Sequence, residues 1–264
     1  MIYLISALLM SVCTWCSPPP TAEHGQPIHS HNDYWRRAPL LEALDAGCIS
    51  IEADVFAHNG ELAVAHDRNR IQDNKTLTAM YLEPLAKIVR ERKKIYPEDP
   101  RPLILMIDIK SNWSETLPVI RKVLTPFRDV LHEPAGTYTG EGGIQITTSG
   151  AGAGRKRIPD KVAAVDGRPD DLGKGILAKD MPVISFSFRS RFSWSMKKPL
   201  SQEEIDSLTI LVDTARKEGK ILRLWGAPDN PAMWDTLQEC GVGLINTDQP
   251  KSAAKHLQNR LNDQ

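Results

Sequence analysis

The chain has 264 residues, with 33 Lys+Arg against 33 Asp+Glu, 41% hydrophobic and 25% charged. These are ordinary globular values, and the length suits a single (β/α)8 barrel, which takes about 250 residues. The zero formal net charge excludes the basic excess of a nucleic-acid binder, so any anion has to be met by a local group.

The chain opens on an apolar run, Met1 to Cys16. It is too short to span a bilayer and reads as a signal-peptide core, although it lacks a basic leading segment. A buried strand is the alternative. Residues 17–25 form a Pro-rich linker, and the folded domain is expected over 26–264. Export follows as an expectation, to an extracytoplasmic setting, with Cys13 or Cys16 as lipid-attachment candidates. Cys48 and Cys240 lie in apolar surroundings, "AGCISI" and "LQECGVGL", and read as buried free thiols.

Eight short β-rich runs follow, at 26–31, 48–55, 103–109, 144–149, 162–167, 182–188, 221–226 and 243–248. Most are continuously apolar, as strands covered on both faces should be. Helical patterns lie between them. In "APLLEALDAG", Leu40, Leu41 and Leu44 form a stripe and Gly47 is a C-terminal cap. "LEPLAKIVRERKKIY" is a second helix; "SQEEIDSLTILVDTARKEG" is a third and opens on a Ser201/Glu204 capping box. The alternation predicts an α/β fold of the (β/α)8 TIM-barrel type. A doubly wound sheet is the alternative, but no Gly-rich phosphate loop follows the first strand.

Active groups of such a barrel sit at the C-terminal ends of the strands. Those ends carry His29 and His31, Glu52 and Asp54, Asp108 and Lys110, Asp166, Trp225, and Asp248. Residues two apart on a strand share a face. Glu52 with Asp54, and Asp108 with Lys110, are therefore either pairs facing one site or alternating charges on a solvent edge. Three carboxylates converging on one mouth repel each other unless a cation joins them. All-oxygen ligands favour Mg2+ or Ca2+.

The pair in "HSH" admits two readings. A binuclear zinc site of the amidohydrolase kind needs more histidines from later strands, and His24, His58, His66, His132 and His256 end none of strands four to eight. An acid/base role for His31 opposite His66 fits better, with His29 packed or orienting. Asn59-Gly60 predicts a hairpin after the second strand. Its loop length decides where His66 points. Two loop residues pair Ala53 with His66 and turn the imidazole away from the carboxylates. Three loop residues, or a bulge, turn it toward them.

Five blocks, "HSHNDY", "SIEADV", "LAVAHD", "LMIDIK" and "LINTDQP", resemble in order those of the glycerophosphodiester phosphodiesterase and phosphatidylinositol phospholipase C-like superfamily. The likeness runs from Ile28 to Pro250. The opening resembles a branch with "HNDY" where the glycerophosphodiesterases have "HRG". The Asp-x-Lys of the third block is similar to that of the spider-venom sphingomyelinase D group. The resemblance implies a metal-dependent phosphodiesterase on a (β/α)8 barrel. His31 and His66 become the acid/base pair. Glu52, Asp54 and Asp108 become ligands of one divalent cation, Mg2+ or Ca2+. Lys110 meets the phosphate, and Trp225 lines the substrate site. Asp108 stands where the family often has Glu. Arg168 has no clear counterpart, and either grips phosphate with its fork or is a loop arginine. The implied partner is a phosphodiester small molecule or phospholipid head group, not nucleic acid, met by a monomer with a membrane surface as one setting. A secreted barrel that binds without turnover is the non-enzyme alternative; it would be expected to have lost one of the five residues.

Overall fold

The computed structural model describes residues 22, 24–150, 162–196 and 198–262. The expected signal segment 1–16, with Cys13 and Cys16, and most of the linker lie outside the described residues.

The strands are β1 (Gln26–Ser30), β2 (Cys48–His58), β3 (Glu61–Val64), β4 (Leu103–Ile109), β5 (Ile144–Ser149), β6 (Ala164–Gly167), β7 (Val183–Ser187), β8 (Ile221–Trp225) and β9 (Leu244–Thr247). All but β3 run parallel, in the order β1-β9-β8-β7-β6-β5-β4-β2, and β1 also pairs with β2. That extra pairing closes the sheet into an eight-stranded barrel, as the alternation predicts. The six α-helices of the described chain are α1 (Leu41–Asp45), α2 (Glu83–Arg92), α3 (Trp113–Leu124), α4 (Gln202–Lys217), α5 (Pro231–Glu239) and α6 (Pro250–Asn262). None of them is long and apolar enough to cross a membrane.

Strand parity divides the chain into two layers. Ile51, Ala53, Val55, Leu105, Ile107 and Ile109 are fully buried and alternate with Ser50, Glu52, Asp54, Met106 and Asp108. Burial of the first set gives about 1.5–3 kcal/mol per large apolar side chain. The second set faces the barrel interior, which is unusually polar: His29, Ser50, Glu52, Thr147, Ser185 and Arg223 are all buried.

The expected caps are present. Gly47 (φ 74°) follows α1, and Ser201 and Glu204 exchange side-chain bonds at the start of α4. The second predicted helix is shorter than its pattern. Lys93 takes a left-handed conformation, which stops α2 and releases Ile95 and Tyr96 into the core. Cys48 and Cys240 are buried free thiols. Asn59 and Gly60 form a strict two-residue hairpin, with φ 48° and 74° and with His58 opposite Glu61.

Candidate active site

Register builds the floor of the site. On the adjacent strands β2 and β4, Asp54 stands opposite Asp108, and on β5 Asp108 stands opposite Ser149. Glu52 lies one inward step below Asp54. One oxygen from each of Glu52, Asp54 and Asp108 lies within 4.8 Å of the others. Asp54 Oδ1 and Asp108 Oδ1 are buried and have no hydrogen-bond partner among the described residues. Two orphaned carboxylate oxygens beside a third carboxylate are a costly arrangement and the donor set of a hard divalent cation. The three residues fit such an ion.

The other oxygens are engaged. Lys110 Nζ bridges Asp54 Oδ2 at 3.0 Å and Asp108 Oδ2 at 2.7 Å. Arg223, which the sequence reading missed, reaches across the barrel from β8. Its Nη2 donates to Glu52 Oε2 at 2.6 Å, and its Nε and Nη2 donate to Asn246 Oδ1. His29 Nε2 meets the same Glu52 oxygen at 2.8 Å, while His29 Nδ1 faces Ser50 Oγ. Burial, then the Arg223 charge, push the His29 imidazole down to about 3. It is therefore neutral, with Nε2–H donating to Glu52, and is packed in the barrel interior. Burial would raise the Glu52 carboxyl, but Arg223 and the His29 bond outweigh it and hold the group well below the usual carboxylate range.

His31 and His66 attach to opposite ends of this floor. His31 Nδ1 meets Asp248 Oδ1 at 2.9 Å, and its Nε2 lies 3.8 Å from Glu52 Oε1. Burial opposes the charged imidazole; the Asp248 bond and the Glu52 charge overcome it and raise the pKa. His66 Nδ1 lies 2.9 Å from Asp54 Oδ2. The hairpin loop has two residues, so the parity argument turned His66 the wrong way. The ladder ends at Ala65, whose N–H reaches Asp54 O at 3.1 Å. The chain then bends, and a residue beyond the last rung no longer obeys the period of two. No third loop residue or bulge was needed.

The run after β1 explains the rest of "HSHNDYW". Asn32 turns the chain in a left-handed conformation, φ 47°. Asp33 is buried and accepts from Ser30 Oγ, Leu40 N and Tyr81 Oη, with burial raising its carboxyl. That anchor delivers Tyr34 Oη to Asp54 Oδ2 at 2.8 Å and to within 3.2 Å of His66 Nδ1. It also sets Trp35 against the His66 ring, centroids 5.1 Å apart. Sequence reasoning missed Tyr34 and Trp35. The available signal was an aromatic pair directly after a strand end at the catalytic face.

A cavity of about 340 Å³ opens over the floor, lined by His31, Glu52, Asp108, Ser149, Gly150, Asp166, Arg168, Arg223 and Trp225. Asp54, His66 and Lys110 are not in that lining and join the site through their bonds to one another and to Asp108. Trp225 is 46% exposed. Arg168 Nη1 is committed to Asp166 Oδ2 at 3.0 Å and to two backbone carbonyls, so its fork is partly spent. The remaining described histidines lie away from the site: His58 pairs with Asp73, His256 with Asp235, His132 packs against Tyr138, and His24 is exposed ahead of the start of β1. That removes the binuclear amidohydrolase reading.

Gly150 adopts φ 90°, and a Cβ there would overlap Asp108 Oδ1. Gly150→Ala should therefore displace that oxygen. Affinity for a divalent cation should fall about 10–100-fold, read by calorimetric titration. An alanine variant with unchanged affinity would show that Asp108 Oδ1 is not a ligand.

The structure is a polar-cored eight-stranded parallel barrel with acidic, basic and histidine groups gathered at its mouth. The AIM6-like phosphodiesterase domain model matches residues 23–156. That stretch carries β1 to β5 and both predicted histidines, but not Arg223, Trp225 or Asp248. The Altered inheritance of mitochondria protein 6 homolog of Arthroderma benhamiae is 30% identical, covering 86% of this chain and 82% of its own. Altered inheritance of mitochondria protein 6 of Eremothecium gossypii is 27% identical over 86% and 68%. The chain belongs to this AIM6-like family. Among solved structures, a glycerophosphodiester phosphodiesterase from Parabacteroides distasonis superposes with a TM-score of 0.54 at 16% identity, covering 91% of this chain and 99% of that one. A putative glycerophosphoryl diester phosphodiesterase from Silicibacter pomeroyi gives 0.55 at 12%, covering 90% and 96%. Their fold is the fold of this chain, and the phosphodiesterase-type domain expected from the five blocks agrees with the AIM6-like phosphodiesterase domain match.

Proposed function

We propose that the chain is a metal-dependent phosphodiesterase acting on a glycerophosphodiester or phospholipid-like substrate. The observation that carries this reading is the pair of buried, unpartnered oxygens, Asp54 Oδ1 and Asp108 Oδ1, beside Glu52 and between two histidines. A divalent cation held by Glu52, Asp54 and Asp108 would supply neutralisation of charge on the phosphate oxygens. Lys110 adds a fixed positive charge at the same place, and Trp225 offers an apolar wall to the alcohol.

The proton steps fall to the histidines. Each uses Nδ1 toward a carboxylate, which leaves Nε2 for the substrate. His66 takes the proton of a neighbouring substrate hydroxyl at Nε2, and that oxygen attacks phosphorus. The bond to the leaving alcohol breaks, and His31, held charged by Asp248, returns a proton to the alkoxide from its Nε2. The product is a cyclic phosphate and a free alcohol. A phospholipid substrate would bring the mouth to a membrane surface. The monomeric state and extracytoplasmic setting expected from the sequence belong to the same proposal.

The test is a panel of glycerophosphodiesters and phospholipids assayed with Mg2+ and with Ca2+. Cleavage should appear in at least one member and vanish with chelator. Full activity in chelator would defeat the metal-dependent reading. No turnover of any member by a metal-loaded chain would favour a binding protein.

A further inference from the structure

The three carboxylates do not offer their oxygens equally. Glu52 Oε2 is held by His29 Nε2 at 2.8 Å and Arg223 Nη2 at 2.6 Å, whereas Oε1 has, among the described residues, only His31 Nε2 at 3.8 Å. Asp54 Oδ2 is shared by Tyr34 Oη, His66 Nδ1 and Lys110 Nζ, at 2.8, 2.9 and 3.0 Å. Asp108 Oδ2 takes Lys110 Nζ at 2.7 Å, its one hydrogen-bond partner among the described residues. The opposite oxygens, Asp54 Oδ1 and Asp108 Oδ1, are the orphans. In every case one oxygen is capped by protein donors and one is left.

A carboxylate chelates a cation with both oxygens only when both are free. Ca2+ takes about 6–8 oxygens and readily uses bidentate carboxylates. Mg2+ requires near-octahedral geometry, keeps several waters, and is served by single carboxylate oxygens. Lys110 and Arg223 also offset two of the three negative charges. That weakens the hold on either cation without choosing between them. The choice comes from the number of oxygens.

Resting on the metal-dependent reading above, we propose that Lys110 and Arg223 are selectivity residues: by capping Asp54 Oδ2, Asp108 Oδ2 and Glu52 Oε2 they leave one ligand atom per carboxylate, so the site takes Mg2+ in preference to Ca2+. Lys110 is the better lever. It alone bridges the in-register pair Asp54 and Asp108, and its side chain is part-exposed whereas Arg223 is buried.

The test titrates the metal-stripped full chain with Mg2+ or Ca2+ by calorimetry, without substrate. The wild-type chain should bind Mg2+ more tightly. Lys110→Met frees Asp108 Oδ2. Both cations gain from the lost charge, but Ca2+ also gains a ligand oxygen. The affinity ratio should therefore move toward Ca2+ by about tenfold, the scale of effects from partners next to metal ligands. Lys110→Arg keeps the charge and a donor and should hold the ratio near wild type. A wild-type site that binds Ca2+ as tightly as Mg2+ overturns the assignment, and this comparison needs no variant to fold. So does a folded Lys110→Met chain that strengthens both cations equally. Failure of the folded wild-type chain to bind either ion overturns the metal reading itself.

Discussion

Arg223→Ala should cost about 3–5 kcal/mol of folding stability, the usual result of removing one member of a buried ion pair. Whole domains are stable by only about 5–15 kcal/mol. Arg223 is 4% exposed. It donates to Glu52 Oε2 and Asn246 Oδ1, and its Nη1 lies 3.1 Å from Met106 Sδ, a weak acceptor. Without it, Glu52 keeps His29 Nε2 at 2.8 Å and His31 Nε2 at 3.8 Å. The pH dependence should then weaken. In the wild-type chain the Glu52 pKa is depressed, so its contribution is complete above the unfolded value and is lost as pH falls through the folded one. In the variant the largest opposing charge is gone, so burial is offset only by the His29 bond and the neighbouring histidines, the carboxyl rises relative to wild type, and the stability gained at higher pH shrinks. Urea unfolding in chelator at about pH 5 and pH 8 should show the larger deficit at the higher pH. Glu52→Gln added to Arg223→Ala should recover part of the loss, because it removes the unpaired charge. A single variant with the wild-type midpoint at both pH values would show that the pair is not structural.

Arg223 also marks where sequence reading stops. The barrel was legible because apolar runs and helical stripes alternate with ordinary spacing, and every predicted strand formed. The carboxylate triad was legible because the i, i+2 rule holds inside a ladder, and β2 and β4 are ladders along their whole length. Arg223 sits inside an apolar run, "ILRLWG", where a single charge has no periodic signature. Its partner is 171 residues away, and only barrel closure brings the two together. The parity argument for His66 failed for a different reason, although the residue does reach the site. Loop length was the right variable, but the residue lies two positions past the last paired strand residue, Val64, where the chain bends. Asp248 was visible as a strand end. Its pairing with His31 follows from β1 and β9 being neighbours, which is a property of the closed barrel.

His31→Ala and His66→Ala should each lower turnover about 10²–10⁴-fold, with little change in cation affinity, since neither is among the three clustered carboxylates. The geometry distinguishes the two. His31 is held charged by Asp248, so its alkaline limb should lie above that of an ordinary histidine. Asp248→Asn removes a negative charge 2.9 Å from Nδ1 and should move that limb to lower pH, whatever else occupies the site. His66 has a different support. Tyr34 Oη bonds the same Asp54 oxygen as His66 Nδ1, and Trp35 packs on the ring. Tyr34→Phe should therefore lower turnover while leaving the Asp248-dependent limb in place, because it touches the other histidine. The pH–rate profiles of wild type, Asp248→Asn and Tyr34→Phe test this division directly. If Asp248→Asn leaves the alkaline limb unmoved, His31 does not supply the proton. If His66→Ala retains full turnover, the proton leaves the attacking hydroxyl by another route, and His66 serves only to hold Asp54.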